Sequence, residues 1–320
     1  MKAAVIYQYG SPDVFRIEEL PKPVIRSNEV LIKVHAASIN PVDWKQRQGW
    51  HRLFLKAHFP VVLGYDVSGV IEECGESVKK FKKEDEVYTR LTRRFGRAFA
   101  EYAAASESTV AKKPANITWE QAAAVPLAAI TALQGLRDKC QLKKGESVLI
   151  IGAAGGVGHF ALQIAMHMGC NVTAVCSGRH KKMMDELKPD HFIDYMKCDY
   201  KSLPEKYDVI FDAAGVESFR TCSSLLKPGG RYLTTLPRPK IVLHKLIALL
   251  TSSKKVKTFL MKSKAEDLEV LSKIITDGQM RIYIDSVFPL EKIADAHRRA
   301  EEYTTEGKII IKISRIPSFS

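Results

Sequence analysis

Residues 149–160 read LIIGAAGGVGHF: an apolar strand runs into seven consecutive Gly, Ala or Val residues before a helical pattern starts. Small side chains pack little and glycine costs backbone entropy, so such a stretch is kept where something must approach the backbone closely. Gly152, Gly155 and Gly158 are three apart at the strand–helix junction. There, glycine lets backbone N–H groups approach a pyrophosphate, and the helix N-terminus adds partial positive charge. The third glycine lets the helix pack close to the strand. A tight structural turn is the alternative, and the surroundings favour the phosphate cradle. After SVLIIGA come helix HFALQIAMHM, strand NVTAVCS, helix KKMMDELK, short strand HFIDY, strand YDVIFDAAG, helix ESFRTCSSLL and strand GRYLTT. This alternation predicts a parallel, doubly wound α/β sheet. Its continuous apolar strands predict burial on both faces.

The flanks read differently. In the first hundred or so residues, EVLIKVHAAS (29–38) alternates as a strand does, and VVLGYDVSGVIEEC (61–74) and DEVYTRL (85–91) are β-rich. TWEQAAAVPLAAITALQGL (118–136) predicts a helix with Thr118 as N-cap and Glu120 and Gln121 close behind. Beyond the alternating region, a helix near 240–250, a strand near 255–262 and a helix at 265–277 are expected. MRIYIDSVFPL and GKIIIKI are β-like again, so the chain is expected to leave the central domain and return to the first. The expected division is 1–118 with 263–320, and 119–262.

Composition narrows the class. The 320 residues are 46% hydrophobic and 27% charged, which is globular composition. No apolar signal region opens MKAAVIYQYG, and no uncharged apolar run is long enough to span a membrane. Six scattered cysteines without a CxxC pair predict reduced thiols in a cytoplasmic protein. The net charge is +13, in short clusters such as RLTRRFGR (90–97) and GRHKK (178–182). With no RNP motif, zinc finger or isolated basic helix, these predict a solvated basic surface, and nucleic acid is not the expected partner.

The end of the second strand bears on the cofactor. An NAD-preferring site places Asp or Glu there, roughly 20 residues after the glycines, to bind the ribose 2′-hydroxyl. NVTAVCSGRHKKMMDEL has no acid before Asp185, and Ser177, Arg179 and Lys181 stand in its place. A hydroxyl and cations suit a 2′-phosphate, so the expected cofactor is NADPH.

Nearly the whole chain, with 237–262 its least similar part, resembles the medium-chain dehydrogenase/reductase superfamily, in its zinc-free quinone oxidoreductase (ζ-crystallin-like) branch. The markers are SINPVDWKQRQG (38–49), VVLGYDVSGVIEECGESVKKF (61–81), AFAEYAAA (98–105), GAAGGVG (152–158), DVIFDAAG (208–215), LLKPGGRYL (225–233) and GKIIIKI (307–313). The resemblance implies a Rossmann domain inserted into a mostly β, GroES-like catalytic domain, and a homodimer. Zinc-dependent relatives carry a catalytic Cys, a His–Glu pair after a Gly and a four-cysteine lobe. Here Gly64 is followed by Tyr65 and Asp66, no Cys lies near Asn40, and no histidine pairs with a cysteine at a binding spacing. No metal is expected.

The resemblance implies hydride transfer from NADPH to a small-molecule quinone or α,β-unsaturated carbonyl, whose conjugation stabilises the charge created. It implies that Asn40 orients a carboxamide or carbonyl, and that Lys45 stabilises a developing enolate or donates a proton. Asp43 is a catalytic candidate, a loop cap or a partner for Lys45, and Tyr65 is a second candidate proton donor. For the cofactor it implies the turn residues Gly152, Ala153, Gly155, Gly156 and Val157. Tyr195 would then sit near the 2′-phosphate, Gly215 near the nicotinamide ribose and Thr131 near the nicotinamide or a phosphate. The segment 237–262 would line the substrate's apolar side or a dimer edge. Two alternatives stay open: another zinc-independent alcohol or carbonyl oxidoreductase, and an NADPH-binding nucleic-acid-binding or crystallin-like protein with little turnover.

Overall fold

Strand β3 organises the first half of the molecule. In the computed structural model, which describes residues 1–50, 52–53, 55–236 and 253–313, the chain begins with β1 (Lys2–Ile6), β2 (Phe15–Glu19) and β3 (Glu29–Ile39). Helix α1 (Pro41–Arg47), β4 (Val61–Val62), β5 (Asp66–Cys74), β6 (Glu86–Arg90), β7 (Tyr102–Ser106) and β8 (Val110–Lys112) follow. Then come α2 (Trp119–Ala124), α3 (Pro126–Leu133), β9 (Ser147–Ile151), α4 (Gly158–His167), β10 (Asn171–Cys176), α5 (Lys181–Leu187) and β11 (His191–Asp194). The chain continues with β12 (Tyr207–Asp212), α6 (Phe219–Cys222), β13 (Leu226–Thr234) and β14 (Lys255–Thr258). It ends with α7 (Ala265–Thr276), β15 (Ile284–Pro289), α8 (Ile293–Glu301) and β16 (Lys308–Lys312).

The chain divides into two compact units, 1–130 with 263–320, and 131–262. In the first, β3 pairs antiparallel with β5, β7 and β16. The larger sheet runs β15-β16-β3-β5-β6-β8, with β7 also on β3, and a smaller one runs β2-β1-β4. The inward residues of these strands, among them Val5, Ile32, Val67, Ile71, Val87 and Ile311, form one buried cluster with Phe99 from the loop before β7. Burying such a side chain stabilises by roughly 1.5–3 kcal/mol each. The expected helix over 118–136 is broken at Pro126 into α2 and α3, because proline lacks the N–H and clashes with the preceding turn. Its start is as expected: Thr118 Oγ1 accepts from Gln121 N at 3.2 Å, and Thr118 N donates to Gln121 Oε1 at 3.0 Å. Ala123 and Ala124 of α2 pack with Ala36 and Ile310, so the boundary expected at 118/119 moves to 130/131.

In the second unit the sheet order is β11-β10-β9-β12-β13-β14, every neighbouring pair parallel. This is the doubly wound 3-2-1-4-5-6 order, whose switch point lies between β9 and β12. Val148, Leu149, Ile150, Val209, Ile210 and Phe211 are fully buried, as two-sided coverage requires. The helix expected over ESFRTCSSLL is only one turn, α6, followed by a 3-10 turn. The helix expected near 240–250 lies outside the described residues.

One buried contact ties the ends of the first unit together. Arg47 of α1 is fully buried and pairs with Glu301 of α8 at 2.5 Å, where Gln48 also donates at 2.8 Å. His297 lies beside them with both ring nitrogens unpartnered. Burial, then the Arg47 charge, push its pKa well down, so the ring is neutral. Glu301→Ala would strand a buried guanidinium and should lower the unfolding free energy by about 3 kcal/mol, read as a lower denaturant midpoint at unchanged slope.

Candidate active site

Ile39 ends β3 and Asn40 opens α1, with Pro41 at the first helical position, where its missing N–H costs nothing. Asp43 reaches back, its Oδ2 accepting from Asn40 N at 2.7 Å. The Asn40 side chain is engaged elsewhere. Its Nδ2 donates to Asp66 Oδ2 at 2.9 Å, and its Oδ1 accepts from Lys308 Nζ at 2.5 Å. Lys308 also donates to the Ile39 carbonyl at 3.0 Å and lies 3.8 Å from Asp66 Oδ2. Asp66 collects two more donors, Ser38 Oγ at 2.9 Å and Leu127 N at 3.0 Å. These side chains are all buried. The amide of Asn40 is thereby held in one orientation, oxygen on the ammonium and nitrogen on the carboxylate.

The neighbouring residues add a phenol and a guanidinium. Tyr65 OH accepts from Gln46 Nε2 at 2.8 Å, and the Arg90 guanidinium lies 4.7 Å from the Tyr65 ring centroid. Arg90 stands opposite Asp66 in the β5–β6 register. Lys45 is half-buried, with its Nζ 5.2 Å from the Trp44 ring and 5.6 Å from the Trp50 ring. The structure therefore joins Asn40, Asp43 and Tyr65 into one buried neighbourhood and sets Lys45 against two indoles.

Sequence reading missed Lys308, Asp66, Gln46 and Arg90 as members of this cluster. Lys308 carried no local signal, because its burial follows only from the pairing of its strand with β3. Burial works on both carboxylates. It raises Asp66, against which Lys308, Asn40, Ser38 and Leu127 all pull down. It pushes Asp43 up to about 8, opposed by the Asn40 N–H and aided by the Asp66 charge. Asp43 Oδ1 has no hydrogen-bond partner. Asp66 has four partners against the one of Asp43, so Asp43 is the carboxyl of the two that holds a proton near neutral pH. Burial lowers Lys308 and raises Tyr65.

In the second unit the candidate residues gather at the carboxyl ends of the parallel strands. Gly152 has φ +79°, a left-handed conformation, and a Cβ on Gly158 would lie 2.0 Å from Gly152 O. The amides of Gly152 and Ala153 both donate to Val175 O (2.9 and 3.0 Å), and that of Gly155 donates to Gly152 O at 3.0 Å. These three shape the turn and have spent their N–H groups. The N–H groups of Gly156 and Val157, just before α4, have no hydrogen bond among the described residues and are the free donors of the helix start.

At the end of β10, Ser177 is buried and its Oγ accepts from Arg179 Nε at 3.2 Å. The pairing of Cys176 with Asp194 brings the half-exposed Tyr195 level with Ser177. Lys181 is drawn onto both oxygens of Asp185 at 2.7 Å, which offsets part of its charge. One acid does lie here, Asp194 from the third strand, but it accepts from Gly178 N and Met196 N and so closes the turn. Gly215 has φ +67° and donates to Asp212 Oδ1 at 2.8 Å. Thr131 is buried in α3.

The Asp43 proton has a consequence for stability. A carboxyl whose folded pKa is raised stabilises the fold below its unfolded pKa, and that contribution is lost as pH rises through about 8. Asp43→Asn keeps an acceptor for Asn40 N but cannot ionise. Between pH 5 and 8 the unfolding free energy of the wild type should fall more steeply than that of Asp43→Asn, by up to about 1.4 kcal/mol per pH unit, measured by denaturant titration at each pH.

Comparison with known proteins agrees with this architecture. The family described as "Alcohol dehydrogenase GroES-like domain" matches residues 26–115, and "Zinc-binding dehydrogenase" matches residues 187–311. Among the described residues, no group of three or more His, Cys, Asp or Glu side chains is placed to hold a metal ion. The chain is 35% identical over 304 residues to the chloroplast envelope quinone oxidoreductase homolog of Arabidopsis thaliana, covering 92% of each chain. It is 36% identical over 325 residues to the chloroplastic NADPH-dependent alkenal/one oxidoreductase of the same plant, covering 97% of this chain and 79% of the relative. The solved quinone oxidoreductase from Coxiella burnetii superposes with a TM-score of 0.91 at 32% identity, covering 98% of this chain and 99% of that one. Taken with its β-rich unit and its doubly wound nucleotide sheet, the chain belongs to the medium-chain dehydrogenase/reductase superfamily, in the zinc-free quinone oxidoreductase branch, and is a nicotinamide-dependent oxidoreductase.

Proposed function

We propose that the protein reduces quinones and α,β-unsaturated carbonyls with NADPH. The observation that carries the reading is the Tyr65–Gln46 bond. The phenol oxygen accepts from Gln46, which leaves its own proton to donate, and burial raises its pKa so that the proton stays on. A reduced quinone or enone oxygen needs such a proton. The names of the relatives, one a quinone oxidoreductase homolog and one an NADPH-dependent alkenal/one oxidoreductase, support the same substrate class.

The glycine turn fits a dinucleotide, since a side chain at Gly158 would collide with Gly152 O, and Gly156 and Val157 offer free N–H groups to a pyrophosphate. NADPH, when bound, supplies the hydride. Arg179, steadied on Ser177 Oγ, keeps its remaining N–H donors for a 2′-phosphate, and Tyr195 stands beside them. Lys181 adds long-range charge reduced by Asp185. The family resemblance supports Gly215 beside the nicotinamide ribose, where a Cβ would meet Leu236 at 2.7 Å, and Thr131 near the dinucleotide. In the first unit, Asn40 keeps one amide N–H for a ligand carbonyl, because Lys308 fixes its oxygen and Asp66 takes the other N–H. Lys45 stabilises a developing enolate from its seat on Trp44 and Trp50. Asp43, neutral, keeps a second negative charge away from that oxyanion. Six cysteines outside any disulfide support a reducing compartment, for which we propose the cytoplasm; the family resemblance supports a homodimer.

NADPH consumption with one para-quinone and one linear enone, with NADH controls, tests the reading. NADPH should be preferred, and comparable turnover with NADH would sink the 2′-phosphate assignment. Arg179→Ala should raise KM for NADPH by about tenfold or more, the loss of a charge-assisted hydrogen bond, while leaving KM for NADH nearly unchanged. Tyr65→Phe should lower kcat by about 100-fold with little change in KM.

A further inference from the structure

The stretch RLTRRFGR at 90–97 puts more positive charge on the surface than the oxidoreductase reading uses. Arg93 is spent, since its Nε and Nη2 bind the two oxygens of Glu29 and Nη2 also donates to Val24 O. Arg94 donates to the Lys56 carbonyl, a neutral acceptor that leaves its charge uncancelled. Arg26 and Arg97 are exposed and have no carboxylate within ion-pair distance among the described residues. All four arginines line one groove of about 770 Å³, and the one acid in its wall, Glu29, is already neutralised by Arg93. Four guanidiniums against one carboxylate leave the groove with an excess of positive charge, and they repel each other unless an anion sits among them.

The loop is held in this arrangement by packing. Phe95, Gly96 and Arg97 are consecutive left-handed residues with φ +63°, +73° and +79°, and a Cβ on Gly96 would lie 1.9 Å from Gly64 O. Two of the three are not glycine, so the fold imposes the conformation that turns Arg97 toward the groove. A second cavity of about 200 Å³ adjoins the first and shares Arg93 and Arg97 with it. Its walls are apolar, with Pro23, Val62, Ala100, Ala103 and Ala104 among them. Val24, at the groove's rim, is an exposed hydrophobic side chain. Glu29 opens β3 and Asn40 follows its far end, so this place is separate from the Asn40 cluster.

An anion-binding groove continuous with an apolar slot fits one ligand chemistry. We propose that it binds a phosphate monoester with a single alkyl chain, the phosphate among Arg26, Arg94 and Arg97 and the chain along Val62, Ala103 and Pro23. Three guanidinium forks match the three oxygens and double charge of a phosphate monoester better than a carboxylate.

Calorimetric titration with inorganic phosphate and with butyl, hexyl and octyl phosphate tests this on the full chain. Affinity should rise with chain length by about fourfold per methylene until the slot is full, and should fall as salt rises. The double variant Arg26→Glu/Arg97→Glu should bind octyl phosphate at least tenfold more weakly, while Lys292→Glu, an exposed cation elsewhere, stays within twofold. Unchanged NADPH oxidation by the double variant shows that it is folded. Equal affinity for inorganic and octyl phosphate, wild-type affinity in the double variant, or no binding of any alkyl phosphate and of vesicles would each overturn the proposal. Co-sedimentation with phosphatidylcholine vesicles containing phosphatidic acid, lost in the double variant, assigns the same chemistry to a membrane headgroup. Titration by octyl phosphate without co-sedimentation assigns it to a free amphiphile.

Discussion

The polar knot of Asn40, Asp66 and Lys308 is what the rest of the first unit depends on. Its members come from the end of β3, the start of β5 and the start of β16, and Lys308 lies 268 residues from Asn40 in sequence. Removing an ammonium and a carboxylate from water costs several kcal/mol per ion, and the cost is met only when every partner is in place. Asp66 has its amide, hydroxyl, backbone N–H and ammonium, while Lys308 has a carbonyl, an amide oxygen and the carboxylate nearby. The pairing of Ile309 with Ile39 sets this up. A slip of one residue would turn Lys308 to the other face of the sheet and leave Asp66 buried and unpaired. The strand register of the returning C-terminal segment is therefore read directly as the orientation of one amide.

That arrangement also separates two carboxyls in one neighbourhood. Asp66 is surrounded by donors, whereas Asp43 receives one backbone N–H and leaves its other oxygen unpartnered. Charging both would place two anions in a low-dielectric interior with one close ammonium between them, so the less solvated site keeps the proton. A neutral Asp43 beside Tyr65 and Gln46 is compatible with negative charge building up on a nearby ligand oxygen. An ionised one would oppose it.

The parallel sheet was legible in the sequence because its determinants are local. Apolar strand, glycine turn and helix recur within a few tens of residues, and each can be recognised without knowing its neighbours. Even there the roles of individual glycines were not. Gly152 and Gly155 spend their amides inside the turn and Gly156 and Val157 keep theirs, a distinction set by hydrogen-bond geometry that the composition GAAGGVG does not carry. Asp194 was missed for the related reason that it reaches the β10 end from the adjacent strand. Pro126 splitting the helix and the single turn of α6 are boundaries at which tertiary packing prevailed over the local pattern.

The Asn40 cluster was half legible for the opposite reason. Asn40, Asp43, Lys45 and Tyr65 fall in short stretches whose polar residues stand out against apolar surroundings. Their partners Lys308 and Arg90 are strand residues whose importance follows only from which strand they meet. A lysine beside three isoleucines reads as the solvent face of an edge strand until pairing with β3 buries it. The arginine loop at 90–97 shows the same limit from outside. Its charges are plain in the sequence, but their convergence with Arg26 on one groove requires the left-handed turn at 95–97 and the Gly96–Gly64 contact. Local pattern thus identifies which residues are chemically unusual, and long-range register decides which of them meet.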